Sequence, residues 1–453
     1  MASATILKTP RSWPKVTLDR VTANGTLLPF ADAQKAGAWR AWRSVADAEA
    51  PETVVHVIDR SGLRGRGGAG YPAAKKWRQV AEMFDATQKY VVANGYEADP
   101  GTFADRLLME RDPHAVVEGV ALAAYAVGAT KAVIAVNAGY ATAIERLRGA
   151  IAQAEEEGLI GTDAVGGAVT IQIEVRPVQG AFLLGEETVL LKALEGKRGM
   201  PEQRPPYPAE KGLFGKPTLV HNVETLATVA WIVANGADAF RAIGSKESPG
   251  TKLVQLAGAV ARPGVAEVPL GTKLGDVVEK VGGGMRDGAT MKLAIVGGPL
   301  GGLLPGDEMD VPLEFGSLTA AGATLGSGSI VVADGTACAV DLGRLLERYA
   351  SDEACGKSIP CRIGLKRLVE IADRFAEGHH RPQDRDLLVD LSSDVIGSAL
   401  CNHERLAPDP LLSGLRYFAA EYEAHLVEGR CPAGVCDLAS VGDRAALRAG
   451  VSA

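Results

Sequence analysis

The sequence predicts an α/β protein that continues into a smaller α+β segment and ends in helices. Three observations predict it. Between residues 89 and 178, apolar strand-like runs alternate with stretches of helical spacing. After about residue 245 the pattern changes to short strands broken by glycine and proline turns. From Cys338 onward the spacing is helical, and all six cysteines lie within or at the ends of that segment. Core cysteines would scatter over the whole chain, so this segregation is informative. A chain of 453 residues exceeds the size at which a single core stops growing, so two to four domains are expected.

Residues 1–50 have weak periodicity and read as an N-terminal extension. "TVVHVIDRSG" (53–62) reads as a short, possible strand leading into the glycine-rich "LRGRGGAGYP" (63–72), with the amphipathic "AAKKWRQVAEMF" after it. "KYVVANGYEADPGTF" (89–103) is an apolar strand ending in a turn-rich loop. "HAVVEGVALAAYAVGA" (114–129) has helical spacing, "KAVIAVNAG" (131–139) reads as a buried strand, and "ATAIERLRGAIAQAEEEG" (141–158) as an amphipathic helix. "VTIQIEVRPV" (169–178) alternates as a strand. "TKLVQLAGAVARPGVAEVPLGTKLGDVVEKVGGG" (251–284) gives two short strands around Arg262-Pro263-Gly264 and a short helix, and "KLAIVGGPLGGLLP" (292–305) adds strand and turns. "DLGRLLERYA", "GLKRLVEIADRFAEG", "DRDLLVDLSSDVIGSAL" and "LLSGLRYFAAEYEAHL" read as a helical bundle.

Composition excludes several classes. The net charge is −7 and no dense Lys/Arg block appears, so nucleic acid is not an expected partner. The N-terminus has no apolar core of signal-peptide length. The most apolar stretch, 115–143, is interrupted by Glu118, Lys131 and Asn137, so no direct membrane insertion is expected and the location reads as cytoplasmic. Six cysteines are too few for a disulfide scaffold; metal or cluster ligation is the better reading.

Four stretches carry chemistry. "GRGGAG" (65–70) allows backbone N–H groups to approach a phosphate, although glycine supplies 54 of 453 residues, above the usual ~7%, and such clusters also arise by chance. "NGYEADPGTFADR" (94–106) and "GEET" (185–188) place carboxylates in loops, as ligand residues or as turn and helix-start chemistry. In "EACGKSIPCRIG" (353–364) Cys355 and Cys361 are the outer members of C-x₂-C-x₂-C, an iron–sulfur spacing, with Ser358 at the middle position. Cys338, His425, Cys431 and Cys436 make a Cys₃His set of the kind that holds structural zinc; buried or paired cysteines and a surface histidine are the alternative.

Together these stretches resemble the NADH-binding flavoprotein (51 kDa-type) subunit of respiratory complex I and its relatives in NAD-linked formate dehydrogenases and NAD-reducing hydrogenases. The resemblance runs from about residue 55 to 436. It is carried by "GLRGRGGAGYPAAKKW" (62–77), "NGYEADPGTFADRLLMERDPH" (94–114), the long "GAFLLGEETVLLKALEGKRGMPEQRPPYPAEKGLFGKPTLVHNVETLA" (180–227) and "CGKSIPCRIG" (355–364). It implies a Rossmann-like FMN/NAD(P)H-binding domain over 51–245, a ubiquitin-like β-grasp domain over 246–330, a helical iron–sulfur bundle over 331–430 and a tail with CPAGVC over 431–453. By motif match the cofactor-binding residues are Gly65, Arg66, Gly67, Lys76, Asn94, Tyr96, Glu97, Phe182, Gly185, Glu186, Glu187, His221 and Asn222. Tyr71, Asp99, Arg204 and Tyr207 fall at the nicotinamide nucleotide.

Several of these depart from the family pattern. Asn-Gly-Tyr-Glu-Ala-Asp stands for the usual Asn-Ala-Asp-Glu-Gly-Glu, so Tyr96 replaces an acid that contacts flavin and Asp99 a longer Glu. Phe182 replaces Tyr, and His221 the first of two Asn. Tyr71 and Tyr207 replace Phe, Arg204 replaces Lys, and Gln79 stands where an aromatic is common. The family's cluster ligands fall on Cys355, Ser358, Cys361 and Cys401, so one thiolate is replaced by a poorer ligand for soft iron–sulfur centres. The cluster is then of the 4Fe–4S type with an oxygen ligand, of the 3Fe–4S type, or lost. Hydrogenase-type members carry a comparable His/Cys tail that resembles a zinc site.

The resemblance implies a subunit that passes electrons from NAD(H) or NADP(H), through FMN, to iron–sulfur centres on itself or a partner. The partner would be a thioredoxin-like 2Fe–2S subunit, or a molybdenum or hydrogenase-type catalytic subunit. Two rivals remain: a flavin-binding assembly subunit whose redox path has decayed, and a redox subunit with a different donor.

Overall fold

The computed structural model describes residues 5–22, 25–46 and 50–438; the rest of the expected extension and residues 439–453 of the expected tail lie outside the described residues. The chain forms two compact units. The first takes in the chain up to Gln255 together with Pro263–Lys273 and Pro312–Phe315. The second takes in Leu256–Arg262, Leu274–Val311 and the chain from Gly316 onward. The division therefore runs through the segment 246–330.

The first unit is built on a five-stranded sheet. Its strands are β1 (Tyr90–Gly95), β2 (Lys131–Asn137), β3 (Gly161–Asp163), β4 (Val169–Val178) and β5 (Thr218–Asn222), in the order β3-β4-β2-β1-β5. β1, β2, β4 and β5 are parallel, and the short β3 runs antiparallel at the edge. Residues 91–93 and 132–136 are buried, as expected of parallel strands covered on both faces. The chain moves outward from β1 to β2 and β4, and then returns to place β5 on the other side of β1. Such a reversal opens a crevice at the carboxyl ends of the two strands. The β1/β5 register sets Asn94 beside Asn222 at that end.

The helix Pro113–Val127 is buried almost all round, which its composition requires. Asp112 caps its start by accepting from the Ala115 N–H, Pro113 occupies the first turn, and Gly128 closes it in the left-handed region at φ 72°. Gly119 lets this helix close on the helix Val223–Asn235, because a Cβ there would overlap the Leu226 carbonyl. Gly119→Val is expected to cost at least ~1–3 kcal/mol by overpacking, read as a lower midpoint in denaturant titration.

Two expectations are corrected in this unit. Residues 53–62 are not a strand; Pro51–Ser61 is a helix with Pro at its start, a left-handed Gly62 at φ 68°, and Val54, Val55 and Ile58 buried on one face. The glycine loop therefore joins two helices. The second concerns the expected extension: among its described residues Phe30–Lys35 and Arg40–Ala46 are helices, and Trp39 and Trp42 are fully buried in the main core. Buried Glu118 accepts the backbone N–H groups of Trp39 and Trp42, and Arg20 pairs with it at 3.4 Å. Short helices anchored by tryptophan carry too few turns to show a period.

Further strands follow: β6 (Thr251–Gly258), β7 (Gly264–Pro269), β8 (Met291–Val296), β9 (Gly302–Pro305) and β10 (Ser329–Asp334). In the second unit β8 pairs antiparallel with both β9 and β10. The helices Ala339–Asp352, Leu365–Glu377, Asp384–Gly397, Asn402–Leu406 and Asp409–Tyr417 come next. Ala339–Asp352 packs on Leu365–Glu377 and on Asp409–Tyr417. Leu365, Leu368, Ile371, Ala372, Phe375 and Ala376 form the buried stripe of the second of these, and Gly378 ends it. Among the described residues no helix is long and apolar enough to cross a membrane.

Candidate functional site

The crevice between β1 and β5 gathers most of the sequence-selected residues. Asn94 is the next-to-last residue of β1; its amide donates to the Gly185 carbonyl at 3.3 Å, and its oxygen accepts from the Tyr96 N–H at 3.1 Å. Asn222 ends β5 and caps the following helix by accepting from the Glu224 N–H at 2.8 Å. Gly67 lies against it: a Cβ on Gly67 would sit 2.9 Å from the Asn222 Cβ, so only glycine brings the loop backbone this close. Lys76, in the first turns of the helix Ala73–Ala81, points at the same edge and pairs with Glu187. The Gly65 N–H is taken by the Tyr71 carbonyl within the loop.

Arg66 faces elsewhere. Its guanidinium is buried and donates to the Pro249 and Arg64 carbonyls, and burial pulls it down to about 10. Tyr96 is also buried, its hydroxyl donating to the Gly180 carbonyl at 2.5 Å. His221 accepts from the Trp77 indole at 2.9 Å and is held neutral, pushed down to about 3 by burial and by the Lys76 charge.

The GEET segment forms the opposite wall. Phe182–Gly185 is a short 3₁₀ turn, and Glu186 caps the helix Glu187–Leu194 by accepting from the Thr188 and Val189 N–H groups. Arg204 pairs with both Glu186 and Glu187. Tyr71 and Tyr207 are 44% and 48% exposed, which leaves their ring faces available for stacking. Asp99 is buried and accepts from the Gly101 N–H.

Two residues here escaped the sequence reading. Asp105 accepts from the Asn222 amide at 2.5 Å, and Tyr140 donates to Glu97 at 3.3 Å. Glu97, at φ 53°, caps the helix Ala104–Arg111 by accepting the Asp105 and Arg106 N–H groups. Burial and Asp105 push Glu97 up to about 8; burial and Glu224 push Asp105 up to about 7. Asp105 in "TFADR" looks like ordinary helix-start acid in the sequence.

In the second unit, Cys361 lies in the turn Pro360–Gly364 ahead of Leu365–Glu377 and is buried. Burial pushes its thiol up to about 12, helped by the nearby Glu404, Cys355 and Cys401. Ser358 donates to Glu404 at 2.7 Å and accepts from the Cys361 N–H at 3.2 Å. Cys355, Cys361 and Cys401 thus lie near one another, and thiolate is the ligand type that iron–sulfur clusters take.

The other cysteines also converge. One ligand atom each from Cys338, His425, Cys431 and Cys436 lies within 4.8 Å of all the others. The Cys338–Cys436 sulfur separation is 3.7 Å and Cys338 Sγ to His425 Nε2 is 3.5 Å. Tetrahedral zinc with ordinary bond lengths spaces its sulfurs by ~3.8 Å. His425 Nδ1 lies 2.8 Å from the Glu421 carbonyl, which turns Nε2 toward the sulfurs.

A flavin-binding α/β unit joined to a cysteine-ligand helical region is the class that this fold and these sites define. Comparison with known proteins agrees. The Nuo51 FMN-binding domain matches residues 58–231, the SLBB domain 253–304, and the NADH-ubiquinone oxidoreductase-F iron–sulfur binding region 342–425. The chain is 46% identical over 386 residues to HndC, a component of the NADP-reducing hydrogenase of Solidesulfovibrio fructosivorans, spanning 85% of this chain and 78% of that one. It is 41% identical over 396 residues to the second F-type component of the NADH-quinone oxidoreductase of Rhizobium meliloti, spanning 87% and 94%. An NAD⁺-reducing [NiFe]-hydrogenase crystal structure superposes with a TM-score of 0.81 at 32% identity, covering all of this chain and 72% of that chain. The protein belongs to the family of the FMN-binding, F-type components of NADH-quinone oxidoreductase. It is an NAD(P)H oxidoreductase component, a flavoprotein for electron transfer with FMN-binding and 4Fe–4S regions.

Proposed function

We propose that this chain binds FMN and a reduced nicotinamide nucleotide in the β1/β5 crevice and sends electrons on through its cysteine-rich helices. The observation that carries this is the convergence of Gly67, Lys76, Asn94 and Asn222 at one sheet edge. Bound FMN supplies hydride acceptance from the nicotinamide and release of electrons one at a time. Lys76 offsets phosphate charge beside the glycine loop, exchanging its Glu187 partner for phosphate oxygen. Asn94 and Gly185 fix the wall facing the flavin. Tyr71 and Tyr207 provide stacking faces for the adenine, and Arg204 and Asp99 line the nucleotide path. Neutral His221 and apolar Phe182 keep that edge free of extra charge. No general acid or base is needed for hydride transfer; stacking geometry and exclusion of water suffice.

The strands after residue 250 are the β-grasp domain and the helices from Ala339 onward the iron–sulfur bundle in this reading. The partners are a thioredoxin-like 2Fe–2S subunit, or a molybdenum or hydrogenase-type catalytic subunit, and the setting is cytoplasmic. Purified protein is expected to be yellow. Acid extraction should release FMN, and NADH or NADPH should bleach the colour anaerobically. Recovery of FAD, or of no flavin after reconstitution, would sink the assignment; a yellow protein that neither nucleotide bleaches would favour a different donor.

The Cys338/His425/Cys431/Cys436 group is a zinc site in the same reading. Zinc would tie the tail to the start of the helix Ala339–Asp352 and close a long loop. Metal analysis should find about one zinc per chain. In Cys431→Ala the zinc should be lost and the melting temperature lowered; unchanged zinc content would rule the site out.

A further inference from the structure

We propose that Glu404 is the fourth-corner ligand of the iron–sulfur cluster, bound through a carboxylate oxygen, with the Ser358 hydroxyl hydrogen-bonded to it. This rests on the reading of Cys355, Cys361 and Cys401 as the three thiolate ligands. The sequence offers Ser358 for the fourth corner, but the structure commits that hydroxyl elsewhere. Its single proton is donated to Glu404 Oε1 at 2.7 Å, and its oxygen accepts the Cys361 N–H at 3.2 Å. Binding iron as an alkoxide would require serine to give up that proton, and an alcohol holds its proton far more tightly than a thiol or a carboxylic acid.

Glu404 has what serine lacks. It stands three residues after Cys401, in the first turn of Asn402–Leu406, and is 1% exposed. Its charge acts on the Cys361 thiol alongside those of Cys355 and Cys401. Its other oxygen accepts the Leu400 N–H at 2.8 Å. A carboxylate offers about four acceptor positions, so Ser358 and Leu400 leave about two open. Among the described residues no Lys, Arg or His forms an ion pair with it. An iron corner beside Ser358 would meet a carboxylate oxygen with lone pairs to spare. Helix capping explains the Leu400 contact but not the Ser358 contact. Iron accepts carboxylate ligands readily at non-haem sites. Ligation forms one Fe–O bond, breaks no bond in the chain, changes no oxidation state and leaves the Ser358 proton in place.

The test is anaerobic reconstitution of the full-length chain with iron and sulfide, followed by iron and sulfide counting and EPR of oxidised and dithionite-reduced protein. The wild type and Ser358→Ala should each carry a four-iron cluster. Glu404→Gln, which keeps shape and hydrogen bonds but not the charge, should fall to a three-iron cluster with its oxidised-state EPR signal. The double variant Ser358→Cys with Glu404→Gln should recover the fourth iron, which shows that the single variant lost a ligand and not its fold. Glu404→Gln with four irons and an unchanged spectrum would overturn the proposal, as would loss of the fourth iron in Ser358→Ala. Absence of iron from both the wild type and Ser358→Cys would overturn the three-thiolate reading itself.

Discussion

Lys252→Met is expected to destabilise the flavin-binding unit by ~3–5 kcal/mol, the cost of leaving one member of a buried ion pair alone. Lys252 and Glu224 are each 2% exposed and form an ion pair, and Glu224 also accepts the Leu253 N–H at 2.9 Å. Removing the ammonium strands Glu224 in the interior with Asp105 near enough to feel its charge. Glu224 sits in the first turn of the helix that Asn222 caps, so the damage should reach the crevice as weaker FMN retention. Urea titration of wild type, Lys252→Met and the double variant Lys252→Met with Glu224→Gln measures it. The double variant should recover part of the loss, because the stranded charge is gone. A midpoint for Lys252→Met equal to wild type would show that the pair is not buried in solution.

The second large effect is on pH. Glu97 and Asp105 are raised to about 8 and about 7, so the folded protein binds protons that the unfolded chain has already lost. For raised carboxyl groups the stabilising contribution is complete below the ordinary carboxylate range and is lost as pH climbs through the folded values. Stability should therefore fall from about pH 4, where the unfolded carboxyls lose their protons, to about pH 8, where the folded ones have lost theirs. Glu97→Gln should flatten the decline, since an amide has no proton to lose, and Asp105→Asn should do the same while loosening Asn222. Thermal melts across that range, compared among the three proteins, check it. A profile that rises with pH, or one that both variants leave unchanged, would refute the coupling.

Much of the site was legible as motif. "GRGGAG", "NGYEADPG", "GEET" and "HNVET" are short, local and rich in residues whose chemistry does not depend on distant neighbours, and most of them meet in the crevice. The buried strands Tyr90–Gly95 and Lys131–Asn137 and the amphipathic helices were readable for the same reason: a continuous apolar run or a 3.6-residue period leaves a mark in any window of the chain. The Cys₃His set could be named because no other role accounted for the leftover cysteines, and the fold brings those four residues together.

The sequence by itself determined the α/β beginning, the helical end, the family and the residue types available to each centre. Only the tertiary structure decided which atoms are free to act. It turned Arg66 inward to backbone carbonyls, spent the Tyr96 hydroxyl on Gly180, and made a helix of 51–61 where a strand was expected. It buried Trp39 and Trp42 from a segment that reads as an extension with weak periodicity. It set Asp105 against Asn222 across 117 residues, and Glu404 against Ser358 across 46. Each of these depends on a long-range hydrogen bond or on burial against a distant element. Such contacts have no period and no local spacing, and the free energy that fixes them appears only when the chain has closed on itself.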